Sequence, residues 1–187
     1  MDTSSRARIT SVLWPAGART PTSVWALLDL ARDRRIHPLL VESRLEFLCL
    51  YAGRLSRRLE QAAPHMIELL PGHWFTDRLL DEGWGRSWGV FVTIQDPTIL
   101  RRHLRRFLKV RDEAGRSLLF RFYDPRVLRV YLPTCRPDEL AQVFGPIASY
   151  LTEGEGGSTL IEFRFRGDRL LTRTVATDAA ATEPRRE

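Results

Sequence analysis

Several things are scarce in this sequence, and each scarcity closes off a class of function. There are only two cysteines, Cys49 and Cys135, far apart and each in or beside an apolar segment. That is no disulfide framework, and thiols so placed pack as small hydrophobes. No apolar run approaches the roughly 20 residues that a membrane helix requires, and the first twenty residues hold no apolar stretch suited to a secretory signal. The expectation is a reducing, cytoplasmic setting without membrane attachment. The four histidines, His37, His65, His73 and His103, fall in no H-E-x-x-H pattern and do not accompany the cysteines, so no metal site is expected. Phosphate-cradling strings are missing too: there is no G-x-x-x-x-G-K-[ST], and the glycines do not follow a strand as a dinucleotide fingerprint would. No cofactor or small-molecule substrate is expected.

Lysine is scarcer still. Lys109 is the only one, so the net charge of +6 and the pI near 10.1 rest on arginine. Such a balance suits nucleic acid, an acidic protein surface or a membrane face, although 23 acidic residues keep the excess moderate. With 187 residues, 43% of them hydrophobic and 10% aromatic, the chain can bury one substantial core.

The order of elements predicts a mixed α/β (α+β) fold: one domain with a mixed β-sheet flanked by helices and a C-terminal β-hairpin. Residues 1–21 read as a flexible lead, 22–152 as the main domain, 153–175 as a loop and hairpin packed on it, and 176–187 as a disordered tail. Strands are expected at Ser23–Leu28, Phe47–Gly53, Met66–Leu70 and Trp88–Ile94, and helices at Ile36–Ser43, Leu55–Ala63 and Trp74–Glu82. Pro137 opens a helix with an apolar stripe of Leu140, Val143, Phe144, Ile147 and Leu151, which Gly145-Pro146 breaks or kinks. Thr159–Phe165 and Leu170–Val175 alternate as two strands around Arg166-Gly167-Asp168-Arg169, a hairpin turn rather than an adhesion tripeptide.

The stretch from Asp96 to Pro133 is the most distinctive. Asp96 suits a helix cap and Pro97 its first position. Leu100, Leu104, Phe107 and Leu108 then share one helical face, while Arg101, Arg102, Arg105, Arg106 and Lys109 fan across the other. A turn at Asp112-Glu113-Ala114-Gly115 leads to an aromatic strand, Leu118–Tyr123, stopped by Asp124-Pro125. Arg101, Arg102, Arg105 and Arg106 have no acid four residues on, and like charges so spaced repel by a few tenths of a kcal/mol per pair, so an acidic neighbour is expected, within the fold or on a partner. Arginine forks suit carboxylates. A nucleic-acid site would interleave exposed aromatics with the arginines, whereas Phe107 lies on the apolar side, which favours protein over nucleic acid.

One string has the look of catalysis. Gly85-Arg86-Ser87-Trp88-Gly89 matches the G-x-S-x-G of serine hydrolases, but that motif needs a strand before the serine and a helix after it. Here the order is inverted, and a tight turn explains the glycines better. Two alternatives to protein binding are thus carried forward: a nucleic-acid module on the arginine helix, and a hydrolase at Ser87.

Taken in order, Trp25-Ala26-Leu27-Leu28-Asp29, Cys49-Leu50-Tyr51-Ala52-Gly53, Ala63-Pro64-His65-Met66, Trp84-Gly85 and Trp88-Gly89-Val90-Phe91 are familiar together. The strongest pieces are Leu100-Arg101-Arg102-His103-Leu104-Arg105-Arg106-Phe107 and Phe120-Arg121-Phe122-Tyr123-Asp124-Pro125-Arg126-Val127-Leu128. The set, spanning Val24 to Leu151, resembles the effector adaptor (chaperone) family of bacterial type VI secretion, long catalogued as a domain of unknown function. The resemblance implies a cytoplasmic, non-enzymatic adaptor that binds a toxic effector and helps load it onto the VgrG spike. It brings no catalytic residues. The candidate partner-binding residues are Arg101, Arg102, Arg105, Arg106, Lys109, Arg121 and Arg126.

Overall fold

The computed structural model describes residues 1–17, 22–111 and 114–177. Its framework follows from strands that are apolar on both faces. In β1 (Ser23–Asp29), Val24, Ala26 and Leu28 join one buried cluster while Leu27 joins another. β4 (Gly89–Ile94) is buried at every position. Strands of this kind must be covered on both sides. They sit centrally in a seven-stranded sheet with β2 (Phe47–Cys49), β3 (Pro64–Leu69), β7 (Ile147–Glu153), β8 (Thr159–Arg166) and β9 (Arg169–Ala176), in the order β2-β3-β1-β4-β7-β8-β9. Every pairing is antiparallel; Ala26, for example, lies opposite Ile67 on one side and Phe91 on the other.

Helices cover both faces. α1 (Thr3–Leu13), α2 (Ile36–Ser43) and α4 (Trp74–Gly83) lay Ile9, Leu13, Leu40, Phe75 and Leu80 against Val24, Ala26 and Leu28. α5 (Leu100–Arg105), α6 (Pro125–Thr134) and α7 (Pro137–Phe144) lay Leu100, Leu104, Leu128, Leu132 and Phe144 against Leu27, Val90 and Val92. Each such side chain contributes about 1.5–3 kcal/mol on burial. The short α3 (Arg57–Glu60) buries nothing. A separate two-stranded ribbon, β5 (Lys109–Arg111) and β6 (Ser117–Leu119), stands beside α5 with all six residues exposed.

The predicted class, with helices around a sheet and a C-terminal hairpin, is the one observed; the sheet is antiparallel throughout rather than mixed, and the hairpin belongs to it. Other expectations need correcting. The N-terminal lead carries α1, because Asp2 accepts a bond from the Ser5 amide at 2.9 Å and caps a helix whose Ile9 and Leu13, one turn apart, are both buried. Arg6 ties this helix to Asp81 of α4. The helix expected over 55–63 is reduced to the four residues of α3. The strand expected over 47–53 stops at Cys49. Ile147 and Leu151 belong to β7 rather than to the stripe of α7, because Gly145 takes φ +46° and ends that helix completely. Leu118–Tyr123 is not one strand: β6 ends at Leu119, and Asp124 with Pro125 starts α6 instead of merely stopping a strand. Residues 18–21 of the lead, Asp112 and Glu113 of the expected turn and 178–187 of the expected tail lie outside the described residues.

One junction ties the sheet to its edge. The turn between α4 and β4 meets the loop after β7: Trp84 Nε1 donates to the Gly157 carbonyl at 2.7 Å, and so does Thr177 Oγ1 at 2.8 Å. Gly157 has φ +77°, and a Cβ there would stand 2.7 Å from the Gly85 Cα, so the loop closes only with glycine.

Candidate functional site

Asp96 accepts from the Thr98 amide at 3.0 Å and starts a 3₁₀ turn at Pro97 that runs into α5. Leu100, Leu104 and Leu108 are buried, Phe107 is half-buried, and the chain leaves the helix after Arg105. Lys109 is therefore on β5 and not on the helix. The cations do not form one face. At about 100° per residue, Arg101 and Arg105 lie on one flank and Arg102 and Arg106 about 100° further round.

Each predicted residue has a distinct setting. Arg101 is internal to the fold: its Nε and Nη2 donate to the Cys49 carbonyl at 3.1 and 2.9 Å, closing the end of β2. Arg105 and Lys109 border a groove of about 450 Å³ whose walls are Leu50, Tyr51, Leu55, Leu108 and Leu119. Arg102 and Arg106 border a second cleft, between α5 and α7. None of Arg102, Arg105, Arg106 and Lys109 makes an ion pair among the described residues.

Arg121 and Arg126 are committed elsewhere. Arg121 pairs with Asp29 at the end of β1 and, at 3.4 Å, with Asp124. Arg126 grips Asp124 with a fork, Nε to Oδ1 at 3.0 Å and Nη2 to Oδ2 at 2.6 Å. Both carboxylates are buried, with side chains 2% exposed. Burial alone would push Asp124 up, but the bonds from Arg126 and the charge of Arg121 hold it below the usual carboxylate range. Next to this knot, burial pushes the Tyr123 phenol up, and the neighbouring Tyr51 phenol adds to that. Tyr51, on the groove wall, thus stands beside Tyr123 and the buried ion network.

The groove was not legible as a site. Leu50, Tyr51 and Leu55 come from the loop after β2, Arg105 and Leu108 from the end of α5 and the turn after it, and Lys109 and Leu119 from the ribbon. Leu118 and Leu119 are both about half exposed, at 48% and 49%, and Val110 is 39% exposed, so the ribbon extends the apolar surface away from the groove. An apolar floor, with two cations on its rim that make no ion pair among the described residues, can desolvate an apolar side chain while holding neighbouring carboxylates.

The other candidates have structural roles in this fold. Ser87, at φ +57°, sits in a helix-to-strand turn, where its amide and Oγ bond Glu153 Oε1 at 2.8 and 3.2 Å. The Gly85 amide takes Oε2 at 2.6 Å. Burial raises the Glu153 pKa against the pull of these donors. The strand-turn-helix elbow that a G-x-S-x-G nucleophile needs is not formed. His103 is buried: Nε2 lies 2.9 Å from the Val143 carbonyl and the ring packs edge-on against Phe107. Burial lowers its pKa. His73 caps α4, accepting from the Phe75 amide at 3.2 Å. Cys49 and Cys135 are free thiols, both pushed up by burial. Among the described residues no group of three or more His, Cys, Asp or Glu is placed to hold a metal, and no helix is long and apolar enough to cross a membrane.

A protein-family model described as a domain of unknown function (DUF4123) matches residues 24–142. The match runs from β1 into α7 and contains every residue lining the groove. No curated protein and no solved structure matches the chain.

Proposed function

Because the chain belongs to the DUF4123 family, we propose that it is a non-enzymatic adaptor that binds a type VI secretion effector in the cytoplasm and helps load it onto a VgrG spike. The segments on which that resemblance rests lie almost wholly inside the matched span. The observation that carries the reading is the groove: an apolar floor of Leu50, Leu55 and Leu119, with Arg105 and Lys109 on its rim and unpaired among the described residues.

The occupant that fits is a segment of the partner protein carrying an apolar anchor flanked by carboxylates. Burying the anchor supplies most of the affinity; the cations steer approach and fix register. Binding of this kind is reversible, as a carrier that hands over its cargo requires. Photo-crosslinking tests the reading. A crosslinking amino acid at Leu119, in the producing cell, should trap the effector or the spike, while one at exposed Leu171 on β9 should not. Equal trapping at both positions, or none at Leu119, removes the groove from the interface.

A further inference from the structure

The second cleft lies on the other flank of α5. It has a volume of about 540 Å³, with Ile99, Arg102 and Arg106 on one side and Ala141, Gln142 and Pro146 on the other. No acidic residue lines it, and neither arginine makes an ion pair among the described residues. The wall is held in place: the Val143 carbonyl, at the end of α7, is bonded by Tyr150 Oη at 3.0 Å and lies 2.9 Å from His103 Nε2. A Cβ on Gly145 would meet the His103 ring at 2.5 Å, so wall and ring are in close register. Two arginines one turn apart, fixed beside a rigid wall that offers the Gln142 amide, make a preformed receptor for paired carboxylates.

We infer that the α5–α7 cleft is a second docking site, which takes a carboxylate-rich segment of a partner protein independently of the groove at Arg105 and Lys109. Among the described residues His103 alone brings an aromatic ring to the cleft, and that ring is buried and packed edge-on against Phe107 at 5.1 Å, so bases would find no exposed stacking platform there. On the adaptor reading, which this inference extends, the two sites let the chain hold two acidic partners at once, with α5 as the partition between them.

The test uses a probe rather than the natural partners. Hexaglutamate peptide is titrated into the isotope-labelled full-length chain, and amide shifts are followed by NMR. Saturable shifts are expected at Gln142 and Gly145. Their affinity should fall by about 10-fold or more in R102Q/R106Q and change by less than about 2-fold in R105Q/K109Q. The single variants R102Q and R106Q should each shift it in the same direction. Equal losses in both double variants, no saturable shift at these amides, or tighter binding of hexathymidylate than of hexaglutamate would each overturn the inference. None of these outcomes affects the crosslinking result at Leu119, so the two proposals fail separately.

Discussion

The guanidinium of Arg101 closes on the carbonyl of Cys49 with two bonds, at 3.1 and 2.9 Å, 52 residues away along the chain. It therefore pins the end of β2, next to the groove residues Leu50 and Tyr51, to α5. Arg101→Ala should lower stability by about 1.5–3 kcal/mol, the range for hydrogen bonds to a charged group. The urea midpoint checks this, and an unchanged midpoint would place Arg101 outside the fold's support. Charge reversals that include Arg101 would confuse unfolding with lost docking, so interface tests should leave it intact.

The same reasoning applies to Arg121 and Asp29. Asp29 is buried and Arg121 is its cation, while Asp124 keeps a second partner in Arg126. Removing Arg121 leaves a buried carboxylate without a counter-charge, which is costlier than losing the pair together. Arg121→Gln should destabilise by about 2–4 kcal/mol, and the double variant R121Q/D29N should be less destabilised than the sum of its singles. A double-mutant cycle in urea measures the difference. Additive losses would contradict the coupling.

Acid should weaken the fold partly through His103 and His65, both held below the usual histidine value of 6.5, first of all by burial. The unfolded chain takes up these protons before the folded one does, so their stability is complete above about pH 6.5 and is lost as pH falls through the depressed folded values. Glu153 has the opposite sign: its raised pKa gives stability complete below its usual 4.5 and lost as pH rises through the folded value. The informative quantity is thus a difference of slopes. Between about pH 7 and about pH 5, His103→Gln should lose less of its urea midpoint than the wild type. Parallel slopes would contradict the assignment.

How far the sequence carried can be seen in one repeated dipeptide. Asp96-Pro97 reads correctly as a helix start, yet the same pair at Asp124-Pro125 reads as the end of a strand, because the aromatic run before it has β character. In the fold both aspartates accept from an amide two residues on, and both prolines occupy the first turn. β1, β3, β4, β8, β9 and α4 were legible because their apolar patterns are long and bounded by glycine, proline or charge, whereas β7 read as a continuation of the helix before it. α1 was not, because its small polar residues hide the spacing of Ile9 and Leu13. The arginines were visible as a run, but periodicity does not tell which of them turn inward: that depends on Cys49 and Asp29, supplied by segments far away in sequence, and on the local turn that sets Asp124 against Arg126. For the same reason the groove, assembled from three separate segments, has no local signal.

The central claim is that a protein partner docks between Arg105, Lys109 and Leu119. Its most direct test is the dissociation constant of the purified effector, measured by surface binding against the wild type and against R105E/K109E, with circular dichroism confirming equal folding. Neither cation bonds anything among the described residues, so stability should stay within about 0.5 kcal/mol of wild type. The account predicts that the effector binds R105E/K109E at least about 10-fold more weakly, with a flatter salt dependence. Equal affinity for the two proteins would contradict it.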